Sequence, residues 1–503
     1  MRTVNIFLGR FIFFVAVGLL FSCTDHADDY ADWPVTRGSK KSINYSGLKQ
    51  IDTSNVKDLE VAWVYHSENN DPENLGVIEC NPIIIEGILY GVSPKMKLFA
   101  LKADTGEEIW KFDPADSIAN PKWHLRRVNM NRGVAYWADG EDKRIIYTVG
   151  PMVFAVDATS GKLVKEFGDE GGIDLRLGLD RNPEGLFVAP TSAVMIYKDL
   201  FFVSGLVSDN TPGHIRGFDV RTGAQKWIFH TIPHPGQYGY ETWEDTTAYL
   251  KMGSTNSWAG FSLDEKRGIL YAPTGNPTND FYGGRRLGDG LFGNCIIALN
   301  AETGERIWHY QTVRHDVWDM DVSSAPGLAT ITRDGKKIDV VVQTTKTGLI
   351  FVLDRETGEP VFPIEEKKVA TEDAALGEKL NATQPVPVLP KAFSRQTLTK
   401  DDLNNLVDSA SYRDIRDRFS SLRYEGMFTP PTEKGTLIFP GYDGGGEWGG
   451  GAFDPNTEMF YVNANEMAWV LNLVKEKTEK KVVKTNLEAG QILYSNHCMR
   501  CHG

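Results

Sequence analysis

One phrase, written five times along the chain, constrains the fold more than any other feature: an apolar strand, an Asp or Asn, a short turn ending in Thr/Ser-Gly, and a second strand often closed by an aromatic. The copies are Phe99-Ala-Leu-Lys-Ala-Asp-Thr-Gly106 leading to Trp110, Phe154-Ala-Val-Asp-Ala-Thr-Ser-Gly161, Gly217-Phe-Asp-Val-Arg-Thr-Gly223 leading to Trp227, Ile297-Ala-Leu-Asn-Ala-Glu-Thr-Gly304 leading to Trp308, and Phe351-Val-Leu-Asp-Arg-Glu-Thr-Gly358 leading to Phe362. Glycine supplies the positive φ of the turn, and Asp or Asn hydrogen-bonds the turn backbone, so each hairpin forms by local chemistry. An alternating strand precedes most copies: Gly87-Ile-Leu-Tyr-Gly91, Arg144-Ile-Ile-Tyr147, Leu200-Phe-Phe-Val203 and Gly268-Ile-Leu-Tyr271. Each unit thus offers about four short strands, and such units stack radially into a propeller. A lone hairpin is barely stable, so packing between neighbouring units must supply most of the stability, with Trp or Phe at the repeat end suited to it. The stretch from Pro363 to Asp417 interrupts the pattern and reads as an insertion with helical character over Thr399 to Val407.

Composition narrows the function classes. The 503 residues carry a formal charge of −13, which makes a poor polyanion binder and excludes nucleic acid as a partner, while neutral sugars and alcohols are indifferent to it. At the N-terminus, Arg2 and Arg10 flank an apolar run from Phe11 to Phe21 that is too short to span a bilayer. It ends Leu20-Phe21-Ser22-Cys23 before a polar stretch, so residues 1–23 read as a lipoprotein signal, with Cys23 as the lipidated residue. The plainer alternative is a cleaved signal with an incidental Cys. Either way the chain is expected to be exported, and lipidation would anchor it on the periplasmic side of a bacterial membrane. Cys80 and Cys295 lie in apolar, strand-like stretches and are expected as free buried thiols.

The C-terminal Cys498-Met-Arg-Cys501-His502 has the C-x-x-C-H spacing of a c-type haem site, two thioether cysteines and an axial His. Its lead-in, Glu488-Ala-Gly-Gln-Ile-Leu-Tyr, resembles the first helix of a small cytochrome c, and residues 475–485 form a lysine-rich linker before it. The expected organisation is therefore a propeller over 32–474, the linker, and the start of a cytochrome c domain over 486–503. With Gly503 one residue past the His, the chain is expected to be part of a longer dehydrogenase-cytochrome fusion, or a truncated one.

The repeat, with Trp33-Pro-Val-Thr-Arg-Gly, Asn44-Tyr-Ser-Gly-Leu48 and Leu59-Glu-Val-Ala-Trp63, resembles the dehydrogenases that use pyrroloquinoline quinone (PQQ). Asp316-Val-Trp-Asp-Met-Asp321, Lys346-Thr-Gly, Arg423-Tyr-Glu-Gly-Met-Phe-Thr-Pro-Pro431 and Phe439-Pro-Gly441 followed by Glu447-Trp-Gly-Gly450 look most like the membrane glucose dehydrogenase branch. The resemblance implies an all-β, eight-bladed propeller of four-stranded antiparallel blades with PQQ on its axis, the last blade missing from this chain. It also implies roles. Asp319 matches the catalytic base, and Lys346 the basic residue at the quinone carbonyl. Trp258 matches the ring beneath the PQQ plane, and Arg132 a partner of a PQQ carboxylate. Asn276 matches a ligand of the metal on PQQ, Ca²⁺ or Mg²⁺, with Asp319 beside it. Asp209 is a further metal or pocket candidate, with a loop cap as its plain alternative; Glu79 and Trp448 are cofactor-pocket candidates.

Two departures bear on the substrate. Alcohol-oxidising relatives carry adjacent cysteines where Arg126 and Arg127 stand here, and glucose dehydrogenases carry a His near Lys95. The expected activity is oxidation of an aldose or related polyol, with electrons leaving through the haem to a respiratory acceptor, a cytochrome or a quinone. Two alternatives stay open: an alcohol dehydrogenase of the same family, and a non-enzymatic propeller lipoprotein of the outer-membrane assembly scaffold type.

Overall fold

A computed structural model of the chain describes residues 30–67, 77–117, 130–475 and 485–497. The signal segment, Cys23, Arg126, Arg127, most of the linker, and Cys498, Cys501 and His502 lie outside the described residues. Among the described residues, no helix is long and apolar enough to cross a membrane.

Sheets follow one another as simple meanders. The first holds β1 (Ile83–Ile85), β2 (Ile88–Val92), β3 (Leu98–Lys102) and β4 (Glu108–Phe112), and the second β5 (Ala135–Asp139), β6 (Asp142–Val149), β7 (Met152–Asp157) and β8 (Gly172–Asp174). After β9 (Val188–Ala189) comes the third sheet, β10 (Met195–Tyr197), β11 (Leu200–Val203), β13 (Ile215–Asp219) and β14 (Gln225–Phe229), with β12 (Leu206–Val207) pairing back onto β9. The fourth is β15 (Ser262–Asp264), β16 (Ile269–Pro273), β17 (Cys295–Asn300) and β18 (Arg306–Gln311). The fifth has three strands, β19 (Gly327–Arg333), β20 (Lys336–Thr344) and β21 (Ile350–Asp354), and its fourth position is reduced to a bridge between Leu353 and Pro360. Three two-stranded ribbons complete the inventory: β22 (Ile364–Lys368) with β23 (Thr383–Pro387), β24 (Thr436–Ile438) with β27 (Trp469–Leu471), and β25 (Gly451–Asp454) with β26 (Met459–Val462). All the strand pairs are antiparallel, and the first strands β5, β10, β15, β19 and β25 touch in that order, which turns the sheets about a common centre.

The five repeats become the five outer turns. Gly106, Gly161, Gly223, Gly304 and Gly358 have φ between 68° and 74°, a region that only glycine enters freely. In four copies the Asp or Asn before the turn caps it: Oδ1 of Asp157, Asp219, Asn300 and Asp354 accepts from the backbone N–H of Ser160, Thr222, Thr303 and Thr357 at 2.7, 2.9, 3.1 and 2.9 Å.

The repeat also locks each sheet to the next. Trp63, Trp110, Trp227 and Trp308 donate Nε1 to the carbonyls of Ala103, Ala158, Ala301 and Arg355 at 3.2, 3.0, 3.2 and 3.1 Å. Each indole then lies flat on the turn glycine of that sheet: a Cβ on Gly106, Gly161, Gly304 or Gly358 would approach the ring to 2.5–2.7 Å. The second repeat has no closing aromatic, and its junction with the third sheet is built differently. There Trp137 donates to Lys198 O at 3.1 Å, and Arg144, held by Asp142, donates to the carbonyls of Val220 and Arg221.

Cys80 and Cys295 are free thiols, as expected, but only Cys295 is buried and Cys80 is half-buried. The insertion differs from expectation. Residues 399–407 hold only a 3-10 turn, Lys400–Asp402, closed by a Thr399–Asp402 capping box, and the helix is Ser409–Ser421. The reason is local: Asp408 Oδ1 accepts from Ala410 N and Ser411 N at 2.9 and 3.0 Å, so the N-cap falls after, not before, the 399–407 stretch. Another helix of similar length spans Asn486–His497.

Candidate active site

Where the sheets converge, a cavity of about 350 Å³ is lined by Arg132, Asp209, Trp258, Asn276, Asp319 and Lys346 together with Asp280, Asp321, Ser254 and Asn256. A volume of this order suits a small planar cofactor with a substrate beside it. Five residues matched by resemblance from scattered positions, and the further candidate Asp209, thus meet in one space. Glu79 and Trp448 do not line it. Glu79 instead accepts from Arg132 Nε at 3.0 Å, and the Trp448 ring lies under the Arg132 guanidinium, 4.6 Å from it. Both hold Arg132 rather than face the cavity. Thr191 Oγ1 takes Arg132 Nη1 at 2.8 Å, and the Trp258 ring is 5.5 Å from the guanidinium.

The loop before β19 presents the central acid. Asp316 is buried and spends its carboxylate on the loop itself, accepting from Trp318 N, Met320 N and Asn294 Nδ2 at 2.8, 2.7 and 2.8 Å. Trp318 is fully buried, donates to Thr429 O at 2.7 Å and packs on Phe428. Between these anchors Asp319 takes φ +58°, a left-handed conformation that a non-glycine residue holds only when its neighbours impose it. That twist lifts its carboxylate into the cavity, 3.1 Å from Lys346 Nζ. Lys346 follows β20, and its backbone is gripped by the glycines of 444–446: Gly445 N donates to Lys346 O at 2.6 Å, and a Cβ on Gly444 would come within 2.6 Å of the lysine stem.

Asp321 closes the Trp-Asp-Met-Asp motif without a role of its own in the sequence reading, Asp280 lies in no motif, and the fold shows the place of both. Asp321 Oδ2 accepts Trp258 Nε1 at 2.7 Å and Oδ1 accepts the backbone N–H of Asn276 at 2.8 Å, so one carboxylate ties the Trp258 indole to the Asn276 backbone. Its approach is close because residue 275 is glycine, where a Cβ would meet the carboxylate at 2.6 Å.

The electrostatics are those of an unneutralised acidic centre. Four aspartates, 209, 280, 319 and 321, face two cations, Lys346 and Arg132, and Arg132 is already paired with Glu79. Burial, then the charges of Asp321, Asp209 and Asp316, push Asp280 up to about 6. Burial raises Asp319 well above the usual carboxylate range despite the opposing Lys346 charge, with Asp321, Asp280 and Asp316 adding to the rise. Burial opposes the charge on Lys346, but Asp321, Asp319 and Glu447 outweigh it and hold the ammonium firmly protonated. Carboxylate and amide oxygens form a hard donor set that fits Ca²⁺ or Mg²⁺ rather than a soft metal, with Asp209, Asn276, Asp280, Asp319 and Asp321 as the available donors.

A pH dependence follows. The folded state holds a proton on Asp280 that the unfolded chain has lost, so between the ordinary carboxylate range and about 6 the metal-free protein loses stability as pH rises. A divalent cation would supply the missing charge, so its stabilising effect should grow over that window. Melting temperatures with and without Ca²⁺ should differ more at about pH 7 than at about pH 5, and Asp280→Asn should flatten the difference.

Elsewhere, ligand atoms of His214, His230 and His234 lie within 4.8 Å of one another. Thr231 N donates to His214 Nδ1 at 3.1 Å, and Gln237, whose Oε1 accepts His234 N, turns its amide donor to His230 Nδ1 at 3.0 Å. Two of the three rings therefore carry their proton on Nε2, which leaves them no lone pair for a metal.

Residues 33–497 match the family described as PQQ, glucose/ethanol/alcohol dehydrogenase, β-propeller domain. The chain is 37% identical over 466 residues to the quinoprotein glucose dehydrogenase of Escherichia coli (strain K12), covering 88% of this chain and 57% of that protein. It is 30% identical over 494 residues to the quinate/shikimate dehydrogenase (quinone) of Acinetobacter baylyi, covering 92% of this chain and 60% of that protein. Among solved structures, the quinohemoprotein alcohol dehydrogenase from Comamonas testosteroni shares the fold with a TM-score of 0.64 at 23% identity, over 88% of this chain and 59% of that one. The chain thus spans somewhat under two thirds of the length of these relatives.

Proposed function

The chain belongs to the PQQ-dependent glucose/ethanol/alcohol dehydrogenase β-propeller family, and from that membership we propose that it oxidises a carbinol of an aldose or related polyol. The observation that carries this reading is the meeting of Arg132, Asp209, Trp258, Asn276, Asp319 and Lys346 around one cavity. When bound, PQQ supplies a quinone carbonyl that accepts hydride, polarised by Ca²⁺ or Mg²⁺.

The chain's own residues do the rest. Arg132 offers a planar, bidentate donor for a carboxylate, and Trp258, its ring oriented by Asp321, offers a flat face to stack on. Asp209, Asn276, Asp280 and Asp321 would hold the cation, with Asp319 beside them. Asp319 receives the substrate hydroxyl proton, and its raised proton affinity makes it a better base than an exposed carboxylate. Lys346 keeps a fixed positive charge at 3.1 Å from Asp319 Oδ2, where negative charge would otherwise accumulate.

The identity to the Escherichia coli glucose dehydrogenase supports the sugar reading; an alcohol dehydrogenase activity is the alternative within the family. A scaffold lipoprotein has no use for a paired Asp–Lys and a clustered set of aspartates. The same proposal includes eight blades in the whole protein, a lipid anchor at Cys23 on the periplasmic side, and a c-type haem on Cys498, Cys501 and His502 that passes electrons to a respiratory cytochrome or quinone.

The test is dye reduction by the purified chain reconstituted with PQQ and Ca²⁺ and offered aldoses, polyols and primary alcohols. Turnover that needs PQQ and favours aldoses is expected. A chain that quenches no Trp fluorescence on PQQ titration and reduces no dye would overturn the proposal.

A further inference from the structure

The insertion buries one acid against the loops of the acidic centre. Its segment 376–381 packs on residues 282–289: Tyr282 Oη donates to Leu376 O at 2.8 Å, and Asn381 Nδ2 to Asp289 Oδ1 at 2.7 Å. Between these contacts stands Glu378, whose side chain is 4% exposed. Its Oε1 accepts from the backbone N–H of Gly283 and, at 3.1 Å, from that of Gly284. Its Oε2 meets Nε2 of His315, whose ring is fully buried, at 2.9 Å. The approach requires glycine at 283, since a Cβ there would come within 2.5 Å of the ring nitrogen. On the other side of the ring, Nδ1 lies 2.9 Å from the Gly288 carbonyl, which can only accept, so Nδ1 carries a hydrogen. A further proton must lie between Nε2 and Oε2, whichever atom holds it.

Both of the loops tied in this way carry the site. Asp280 stands just before the Gly283–Gly284 amides. His315 immediately precedes Asp316, whose carboxylate holds the amides of Trp318 and Met320 on either side of Asp319. His315 has φ +47° and Asp319 φ +58°, so two left-handed residues bracket this turn, and each persists only where its neighbours impose it. Arg286, 2% exposed, ties the same two loops again by donating Nη2 to the carbonyls of Asn279 and Asp316. None of Glu378, His315 and Arg286 lines the cavity. After burial, the charges of Asp321 and Asp280 raise the proton affinity of Asp319, so these carboxylates repel one another. Loops that carry mutually repelling acids need a tie outside the cavity to keep their spacing.

Resting on the reading of this cavity as a cation-holding catalytic centre, we propose that Glu378 is a positioning residue: through His315 and the Gly283–Gly284 amides it fixes the Asp280 loop against the Asp319 loop. A cation binds tightly where supporting groups already hold its donors in place. The insertion is therefore part of the active-site frame and not an ornament on the propeller.

The test uses the full chain, first without PQQ, with Ca²⁺ binding followed by titration calorimetry. Glu378→Ala should raise the Ca²⁺ dissociation constant about tenfold, the lower end of the cost of removing a supporting group from a metal site. Glu378→Gln should recover most of that affinity. Its carboxamide oxygen accepts from both glycine amides, and its NH₂ donates to Nε2 of a ring protonated at Nδ1. Trp227→Ala, which loosens the junction of the third and fourth sheets, should lower the melting temperature and leave the Ca²⁺ constant unchanged. With PQQ and saturating Ca²⁺, Glu378→Ala should also lose about tenfold in kcat rather than KM, the effect of a misplaced base. A parent chain that binds Ca²⁺ but reduces no dye would sink the proposed oxidation, and the Ca²⁺ constants would still decide this assignment. No Ca²⁺ binding by the parent, an unchanged constant in Glu378→Ala, a Gln variant no better than Ala, or an equal shift in Trp227→Ala would each overturn it.

Discussion

Asp319→Asn should lower PQQ-dependent turnover about 10³-fold, in the middle of the range for loss of a positioned general base, while PQQ still quenches Trp fluorescence with the affinity of the parent chain. The substitution keeps the side chain's shape and removes only its capacity to take a proton. Its surroundings are already arranged to hold it: Trp318 buried on Phe428, Asp316 spent on the loop amides, and the left-handed backbone at Asp319 itself. The loss should therefore appear in kcat and not in folding. In the parent chain, turnover should rise with pH through the raised Asp319 pKa, because the base works only when deprotonated. The Asn variant should lack that limb. A variant that retains a tenth or more of the activity with the same pH profile would move the base elsewhere, Asp280 being the next carboxylate in the cavity.

Trp227→Ala should cost about 3–5 kcal/mol, the range for truncating a large aromatic in a packed interior. The indole is 8% exposed, stacks on Phe202 with centroids 5.4 Å apart, donates to Ala301 O and covers Gly304. Truncation opens a gap between the third and fourth sheets and leaves the Ala301 carbonyl without its donor. Urea denaturation should show a lowered midpoint, and Trp227→Phe should recover most of the packing but not the hydrogen bond. Gly304→Ala attacks the same contact from the other side, since its φ of +73° and the ring at 2.5 Å both resist a Cβ. A loss below about 1 kcal/mol for Trp227→Ala would mean that the sheets are held by their strand faces and not by this interlock.

The repeat could be read from the chain because its chemistry is local. A glycine at positive φ, an Asp or Asn two or three residues before the turn amides, and a Trp a few residues on are all specified within about ten positions. They appear in space as written, and even the missing aromatic of the second copy marks the one junction built on Arg144 and Trp137 instead. Capping chemistry also decided where the insertion's helix begins, but Asp408 had to be weighed against Thr399, and a pattern of apolar residues does not settle that competition.

The site is a different kind of information. Asp319 and Lys346 could be named because a family resemblance marks their motifs, yet the motif that holds Asp321 gave it no role and nothing local distinguishes Asp280 from an ordinary loop acid. What makes them functional is convergence. Loops of the second to fifth sheets bring four aspartates and two cations within reach, and burial with mutual repulsion then raises the proton affinities of Asp280 and Asp319. The same convergence turned Glu79 and Trp448 away from the cavity and onto Arg132. Turn and strand preferences act between neighbours in the chain, so the units are specified locally. Electrostatic coupling acts between neighbours in space, so the charges that meet are set only once those units pack about their common centre.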